Sequence, residues 1–382
     1  MRLRKKILWL VSWYPNKLDA FDGDFIQRHA RAAAIENDIH VIFVKDAVLD
    51  QAYQEEILHS PGLTEQIIYF KRPKGVFAKI WKQWLWYSYY RKAITHYLRQ
   101  NGLPYLVHVH VPWKAGIMAL WVKLRFKIPY IITEHWTIYN DGNPSTFDKK
   151  PLIIKKIYLN IFRNALGITP VSYDLGKRLV HLFNCNLVKV IDNVVEEKWF
   201  YYHEHDFKSF RFIHVSSLAD QKNIYEIIEV FRHLCQEFKT VELHIVGPAP
   251  EKLIKLIKET GLYNRTIFVI GEKSYTEVAK CMQQTHCLLL FSHYENAPCV
   301  IGEALCCGLS VISSDVGGIS ELLDNSNGIL VPPNNQKALS EAMKKMIIEY
   351  HHFDRRNIAS DALSRFSNNT IGRQFANLYD HF

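Results

Sequence analysis

Short apolar runs alternate with helix-length amphipathic stretches along almost all of this 382-residue chain. In the first half the candidate strands are Ile7–Ser12, Ile39–Val44, Ile67–Phe70, Leu106–His110, Tyr130–Thr133, Gly167–Val171 and Val188–Ile191. The helical patterns between them are Phe25–Glu36, Ala78–Gln100, Ala115–Arg125, Leu152–Asn164 and Tyr173–Phe183. In the second half the candidate strands are Arg211–Val215, Glu242–Val246, Thr266–Ile270, Cys287–Phe291, Leu309–Ser313 and Gly328–Val331. This alternation predicts an α/β protein with doubly wound, Rossmann-like parallel sheets and helices on both faces.

A polar stretch without clear periodicity, residues 193–209, interrupts the alternation, and a new strand follows it. The chain is long enough for two domains. We therefore predict a first domain over residues 1–195 and a second over residues 205–364. A helix over about residues 365–382 is expected to pack back on the first domain. Two such domains bind ligands in the cleft between them, at the C-terminal ends of their strands.

The seven cysteines are odd in number and include no C-x-x-C pair. They favour buried free thiols in a reducing compartment over disulfides or zinc. The N-terminus has a basic start and a short apolar run, but no small-residue cleavage site follows, which favours a first core strand over an export signal. No apolar run approaches the roughly 20 residues that span a bilayer. The predicted location is therefore the cytoplasm.

Positive charge is concentrated in the first half of the chain. Residues 1–200 hold 29 lysines and arginines against 17 acids, whereas residues 201–382 hold 18 against 21. The segment Lys71–Arg99 mixes cations with seven Trp and Tyr residues. Such a mixture suits the surface of an anionic membrane, where the protein would be peripheral at the inner face. A helix packed on a sheet with a solvated basic face, and single-stranded nucleic acid, are the alternatives. Because nothing else resembles a nucleic-acid module, we expect no nucleic-acid partner.

The segment Phe291–Gly318 carries two acids eight residues apart, Glu295 and Glu303, in a strand–loop–helix–strand pattern. The backbone N–H groups around Pro298, Cys299 and Val300 would lie at the helix N-terminus, where the partial positive charge suits a phosphate. The helix dipole alone also explains acids near a helix start. An acid in an apolar helix, such as Glu303, is nevertheless costly unless it is paired or binds something.

Other chemically suggestive residues follow the remaining strands. Gly23 and Asp24 open the first helix, where the glycine lets a ligand approach or simply precedes a helix cap. His110 and His135 come at strand ends, and we favour His135 as a cleft residue, with His110 and Glu134 either in the cleft as well or in support of it. Lys222 opens a helix and can reach a phosphate as a point charge. Two strand-end glycines, Gly247 and Gly271, suit a planar base or an ordinary turn.

Together these residues resemble the retaining glycosyltransferases of the GT-B fold, in the group-4 family that includes mannosyl- and glucosyltransferases. The E-x7-E signature of that family matches Glu295 and Glu303, and its GG-x-x-E matches Gly317, Gly318 and Glu321. A third motif, NG-x-L-V-P-P, matches residues 327–333. In the first half SWYPN, DGDF, HVH, TEH and VIDNVV look like landmarks of the family's first domain.

The resemblance implies a nucleotide-sugar donor, a UDP-, GDP- or ADP-sugar, bound mainly by the second domain without a metal or other cofactor. It implies that Glu303 holds the ribose, Glu295 the donor sugar and Lys222 the diphosphate. His135 would line the reacting face, and Asn296 would contact sugar hydroxyls. The further donor-side candidates are Ser217, Pro298, Cys299, Val300, Gly247, Gly271 and Glu272. The candidates on the acceptor side or near the sugar are Gly23, Asp24 and His110.

The chain departs from the family pattern at two places. Ser217 stands five residues before Lys222, where the family often has an arginine, so Lys222 and the helix N-terminus would neutralise the phosphates. The usual E-G-F-G is E-N-A-P here, so the identity of the donor cannot be carried over. The expected activity is retaining sugar transfer to a glycan or lipid-linked acceptor in surface polysaccharide, lipopolysaccharide or other glycolipid assembly. The alternative, which Ser217 favours, is a non-catalytic nucleotide-sugar-binding subunit of a glycan-assembly complex.

Overall fold

The computed structural model describes residues 3–204 and 207–382, and the chain divides into two compact units. Unit 1 comprises Met1–Tyr139, Ser145–Asn193 and Asn368–Phe382. Unit 2 comprises Asn140–Pro144 and Val194–Ser367. The predicted first residues of the two domains, 1 and 205, lie outside the described residues.

Unit 1 contains a six-stranded sheet in the order β3-β4-β2-β1-β5-β6. Its strands are β1 (Lys6–Val11), β2 (Asp38–Ala47), β3 (Tyr53–Ser60), β4 (Leu63–Lys71), β5 (Leu106–His110) and β6 (Tyr130–Thr133). Its first five helices are α1 (Asp24–Ala33), α2 (Ala78–Asn101), α3 (Ala115–Phe126), α4 (Leu152–Asn164) and α5 (Tyr173–Phe183). The five strands other than β3 pair in parallel, and β5 is buried along its whole length. Burial on both faces explains why the central strands read as continuous apolar runs.

Unit 2 contains a second six-stranded sheet, entirely parallel, in the order β12-β11-β10-β7-β8-β9. Its strands are β7 (Phe210–Val215), β8 (Val241–Val246), β9 (Ile267–Gly271), β10 (Cys287–Leu290), β11 (Ser310–Ser314) and β12 (Gly328–Val331). Its helices are α6 (Ile224–Glu237), α7 (Glu251–Glu259), α8 (Tyr275–Met282), α9 (Cys299–Cys306), α10 (Gln336–Glu349) and α11 (Arg355–Phe366). Separate hydrophobic clusters cover its two faces, one built around Phe231 and Met343 and the other around Ile301 and Phe366. The predicted pair of doubly wound, Rossmann-like α/β domains is thus confirmed.

The C-terminal tail differs from its prediction as a single helix over about 365–382. Helix α11 ends at Phe366 in unit 2, and Ser367 is extended. Helix α12 (Asn368–Asp380) then belongs to unit 1 and packs against α1. Its Phe375 and Tyr379 are fully buried, and the indole N–H of Trp9 donates to the Tyr379 hydroxyl at 3.1 Å. This helix therefore completes the core of unit 1.

Two strand predictions were wrong, and one strand was missed. Residues 167–171 and 188–191 are not strands, since Ile168 only bridges Ile132 and Leu187 there. The third error is β3, which was missed and is the antiparallel strand, with mostly exposed residues. The stretch predicted as a linker also contains Phe200, which is fully buried in unit 2.

The seven cysteines all lie in the described ranges and are free thiols. Among residues 3–204 and 207–382, no helix combines the length and the apolar character needed to cross a membrane.

Candidate functional site

The strand ends of unit 2 bring Lys222 and Glu295 together. Lys222 ends a single 3-10 turn after β7, and Glu295 lies in the loop after β10. Because β7 and β10 are neighbours in a parallel sheet, the loops at their carboxyl ends meet. Lys222 Nζ donates to Glu295 Oε1 at 2.5 Å. The Glu295 residue is 5% exposed and the Lys222 side chain 18%, so this ion pair is shielded but still reachable from solvent.

The Glu295 loop is held by hydrogen bonds to its backbone. Gln221 Nε2 donates to the Tyr294 carbonyl, and Asn140 Nδ2 donates to the Glu295 carbonyl, each at 2.6 Å. Gly318 N donates to the Asn296 carbonyl at 2.8 Å. The sequence predictions included neither Gln221 nor Asn140. Gln221 could have been found as the neighbour of Lys222, whereas Asn140 carries no local signal.

Steric constraints require a glycine at the first position of the GG-x-x-E motif. Gly317 adopts a left-handed conformation, with φ +57°. A Cβ atom on it would lie 1.9 Å from the Glu295 carbonyl oxygen. Only glycine allows this approach without displacing the loop that carries Glu295.

Helix α9 places Glu303 in a buried position on the same loop–helix segment. The helix begins at Cys299, and Pro298, Cys299 and Val300 are partly exposed. Glu303 is buried, and its carboxylate accepts a hydrogen bond from the Tyr275 hydroxyl at the start of α8. The acid is therefore paired, as its apolar surroundings require. Tyr275 was missed, although an aromatic residue just beyond a strand end was a usable signal.

The remaining donor-side candidates differ in their surroundings. Ser217 and Glu272 are exposed. A Cβ on Gly247 would lie 2.1 Å from the Ser216 carbonyl oxygen, so backbone packing already requires that glycine. Gly271 has φ +84° and open space where a Cβ would be. Their contacts with a donor stay predictions.

In unit 1 the ends of β5 and β6 bring His110 and His135 together. His110 Nδ1 lies 3.3 Å from His135 Nε2. His110 is fully buried, whereas His135 is partly exposed. Glu134 holds the turn, because one of its oxygens accepts from the N–H groups of His135 and Trp136 at 2.8 and 3.0 Å. Burial raises the pKa of Glu134 to about 7.

A third histidine, His29 on α1, joins this pair and was not predicted. Its ring centroid lies 5.5 Å from that of His135 and 6.1 Å from that of His110. Its Nε2 lies 2.9 Å from the Asp192 carbonyl oxygen. Burial lowers the pKa of His29 to about 4. Burial also holds the pKa values of His110 and His135 well below 6.5. All three imidazoles are therefore uncharged at neutral pH.

The other unit 1 candidates, Gly23 and Asp24, have structural roles at the start of α1. Gly23 caps the helix with φ +69°, and a Cβ on it would lie 2.7 Å from the Trp13 carbonyl carbon. Asp24 pairs with Arg28 at 3.1 Å. Contact of either residue with an acceptor stays a prediction.

Two family descriptions match this chain and together extend over most of it. "Glycosyltransferase Family 4" matches residues 25–199, and "Glycosyl transferases group 1" matches residues 195–363. The glycosyltransferase TuaC of Bacillus subtilis, named for teichuronic acid biosynthesis, is 24% identical over 372 residues. That alignment covers 91% of this chain and 89% of TuaC.

Solved structures of similar fold cover nearly the whole chain. Sucrose-phosphate synthase from Thermosynechococcus elongatus aligns with a TM-score of 0.79 at 18% identity, over 99% of both chains. Anabaena HepE in complex with UDP aligns with a TM-score of 0.73 at 17% identity, over 99% of this chain and 100% of HepE. HepE has also been solved with UDP-glucose. At these identities the likeness concerns the fold.

Proposed function

Because the chain belongs to the glycosyltransferase family that these two descriptions define, we propose that it moves a sugar from a nucleotide-sugar donor, with retention, to a glycan or lipid-linked acceptor. We further propose that this reaction serves surface polysaccharide or glycolipid assembly. The observation that carries the proposal is the Lys222–Glu295 pair at the strand ends of unit 2, on the segment that also bears Glu303.

The proposed donor site uses these residues in separate roles. Lys222 can give one N–H to Glu295 and direct its other two at the donor diphosphate. The start of α9, from Pro298 to Val300, adds the partial positive charge of a helix N-terminus. Glu303, oriented by Tyr275, would accept hydrogen bonds from the ribose hydroxyls. Glu295 and Asn296 would face the sugar.

The chemistry follows from the charges that develop during transfer. Breaking the bond between sugar and diphosphate leaves negative charge on the departing phosphate, which a fixed cation and a helix N-terminus stabilise. We propose that these groups replace a metal ion at the diphosphate and that no other cofactor takes part. His135 in unit 1 would line the reacting face of the sugar.

A binding screen tests the donor assignment. UDP-, GDP- and ADP-sugars are compared by thermal shift, and the stabilising donor is then used in transfer assays with EDTA present. We expect a UDP-sugar to stabilise most, because the structurally similar HepE was solved with UDP and UDP-glucose. Stabilisation by none of the three classes would contradict the proposal. The anomeric configuration of the product, read by NMR, tests retention.

Isosteric variants test the site itself. Lys222→Met and Glu295→Gln should each lower transfer at least a hundredfold, because they remove the cation at the leaving group or the acid near the sugar. The matched controls are Lys344→Met and Glu237→Gln, which interrupt an exposed ion pair elsewhere in unit 2. Folded Lys222 and Glu295 variants with full activity would refute these roles.

We also propose that unit 1 rests on an anionic membrane, at the cytoplasmic face, through the start of α2. Val76, Phe77, Ile80, Trp81 and Trp84 are exposed there, the two tryptophans by 55% and 60%. Exposed Lys74 and Lys79 accompany this apolar face. Farther along α2, a groove of about 850 Å³ is lined by aromatic side chains and by three exposed cations: Arg91, Lys92 and Arg99. The aromatic residues of α2 that are buried in the core, by contrast, are Trp86, Tyr90 and Tyr97.

Vesicle flotation tests the membrane proposal. Binding should require phosphatidylglycerol, weaken with salt, and fall at least tenfold in a Trp81→Ala/Trp84→Ala variant. The control Leu103→Ala/Leu124→Ala removes two exposed leucines elsewhere in unit 1. Equal flotation of both variants would exclude this face as the contact.

A further inference from the structure

The histidine cluster in unit 1 has the makings of a second binding site, separate from the residues of the proposed donor site. We propose that His29, His110 and His135 together bind one divalent transition-metal ion of the Zn²⁺ class. The inference does not rest on the donor site, because none of the donor-side residues in unit 2 takes part in it. It shares only His135 with the proposed function, and the test reads metal binding rather than sugar transfer.

The spacing of the three imidazoles carries the proposal. One ring nitrogen from each histidine can be chosen so that all three lie within 4.8 Å of one another. A tetrahedral zinc ion with Zn–N bonds of about 2.0–2.1 Å holds its nitrogens about 3.4 Å apart. His110 Nδ1 and His135 Nε2 share a hydrogen bond and lie 3.3 Å apart, close to that separation, so an ion would take the place of the shared proton. Small rotations of the buried rings would bring the third nitrogen, from His29, to the same separation.

One of these rings also has a nitrogen whose bonding capacity is unused. His29 Nδ1 is buried and has no hydrogen-bond partner among the described residues. A buried polar atom left without a partner is destabilising. A metal ion at His29 Nδ1 would satisfy that lone pair.

The surroundings of His29 match the usual arrangement of a metal-binding histidine. Its Nε2–H donates to the Asp192 carbonyl, which fixes the tautomer that leaves Nδ1 as the electron-pair donor. Metal-binding histidines commonly donate their second N–H to a backbone carbonyl in this way. The ring is also packed against Phe375, at 5.2 Å between centroids. The ring is therefore oriented before an ion arrives.

The ligand set selects the class of ion. Imidazoles suit Zn²⁺, Co²⁺, Ni²⁺ and Cu²⁺, whereas Mg²⁺ and Ca²⁺ prefer oxygen ligands. Three histidines leave a fourth position for water. His135 is the one residue of the three that is partly exposed. The nearby cation Arg28 is paired with Asp24, which moderates its repulsion of the ion.

The test uses the full chain without a histidine tag. Titration with Co²⁺ should give visible ligand-field bands that saturate at one ion per chain, and Zn²⁺ should abolish them. X-ray absorption at the zinc edge should find three imidazole nitrogens. His29→Asn and His110→Asn should each weaken Co²⁺ binding at least tenfold, whereas His181→Asn, on an exposed histidine, should not.

Each outcome bears on the proposal. Metal content at background after incubation with excess Zn²⁺ and dialysis would overturn it. Unchanged affinity in folded His29 and His110 variants would also overturn it, because the ion would then lie elsewhere. If the variants do not fold, the stoichiometry and the zinc-edge spectrum of the unmodified protein decide.

Discussion

The position of Glu295 depends on a residue that has no side chain. Gly317 combines a left-handed conformation with an approach that leaves no space for a Cβ. We expect Gly317→Ala to lower the free energy of unfolding by at least about 2 kcal/mol, through backbone strain and displacement of the Glu295 loop. Transfer should fall more than tenfold. Urea unfolding and transfer assays measure the two effects.

Gly261 provides the control for that variant. It is also left-handed, with φ +72°, but a Cβ there would meet nothing within 4 Å. Gly261→Ala should therefore show only the conformational cost, about 1 kcal/mol, and keep full activity. Equal effects of the two substitutions would mean that the contact with Glu295 is unimportant.

His214 introduces a pH dependence into the stability of unit 2. The ring is fully buried between the Leu289 carbonyl and the Ser216 hydroxyl, and burial lowers its pKa from 6.5 to about 4. Between these values the unfolded chain binds a proton that the folded chain does not. This contribution to stability is therefore complete above pH 6.5 and is lost as the pH falls to about 4, by about 3 kcal/mol in all.

A matched pair of variants isolates that contribution. His214→Gln should flatten the change in unfolding free energy between pH 6.5 and 4 by about 3 kcal/mol, measured by urea titration at each pH. His351→Gln, on an exposed histidine, should leave the profile unchanged. Parallel profiles for His214→Gln and the unmodified protein would rule out this assignment.

Glu303 shows which part of the candidate site could be predicted from the sequence and which part could not. Burial energetics required a partner for Glu303, since an acid in an apolar helix must be paired. The partner, Tyr275, lies 28 positions away in sequence and becomes its neighbour only through the order of the strands. Asn140 and His29 are similar cases, because local spacing contains no information about contacts that depend on tertiary structure.

At the scale of elements, periodicity predicted the helices better than the edge of the first sheet. The amphipathic pattern placed the start and end of α4 and α5 at their observed residues. Strand β3 was missed because its sequence, YQEEILHS, is polar and its residues are mostly exposed. The opposite error was made at residues 167–171, which are mostly apolar and buried but contain only one residue, Ile168, that forms β-bridges.

Helix α12 shows how an element can support a core far from it in sequence. Phe375 is fully buried against Trp9 and His108. Phe375→Ala should lower the free energy of unfolding by about 3–5 kcal/mol, because it leaves a cavity in the core. Arg373→Ala, on the exposed face of the same helix, should change it by less than about 0.5 kcal/mol. Chemical denaturation of both variants tests the difference.

At the scale of the whole molecule, the two units differ in how much of each is continuous in sequence. Apart from Asn140–Pro144, unit 2 is one stretch, whereas unit 1 also needs Asn368–Phe382. We expect a fragment of residues 194–367 to unfold cooperatively on its own. A fragment of residues 1–193 should do so only when a peptide of residues 368–382 is added. Circular dichroism with denaturant tests both, and cooperative unfolding of residues 1–193 alone would contradict the second expectation.

The late position of α12 has a consequence for synthesis on the ribosome. Unit 1 is begun first, yet the side chains that close its core are translated only after all of unit 2. Until translation passes residue 380, the nascent first unit exposes apolar surface that chaperones bind. A message cut short before residue 368 would therefore yield a chain in which unit 2 is complete and unit 1 lacks α12. We expect proteases to degrade such a chain, in addition to its loss of catalysis.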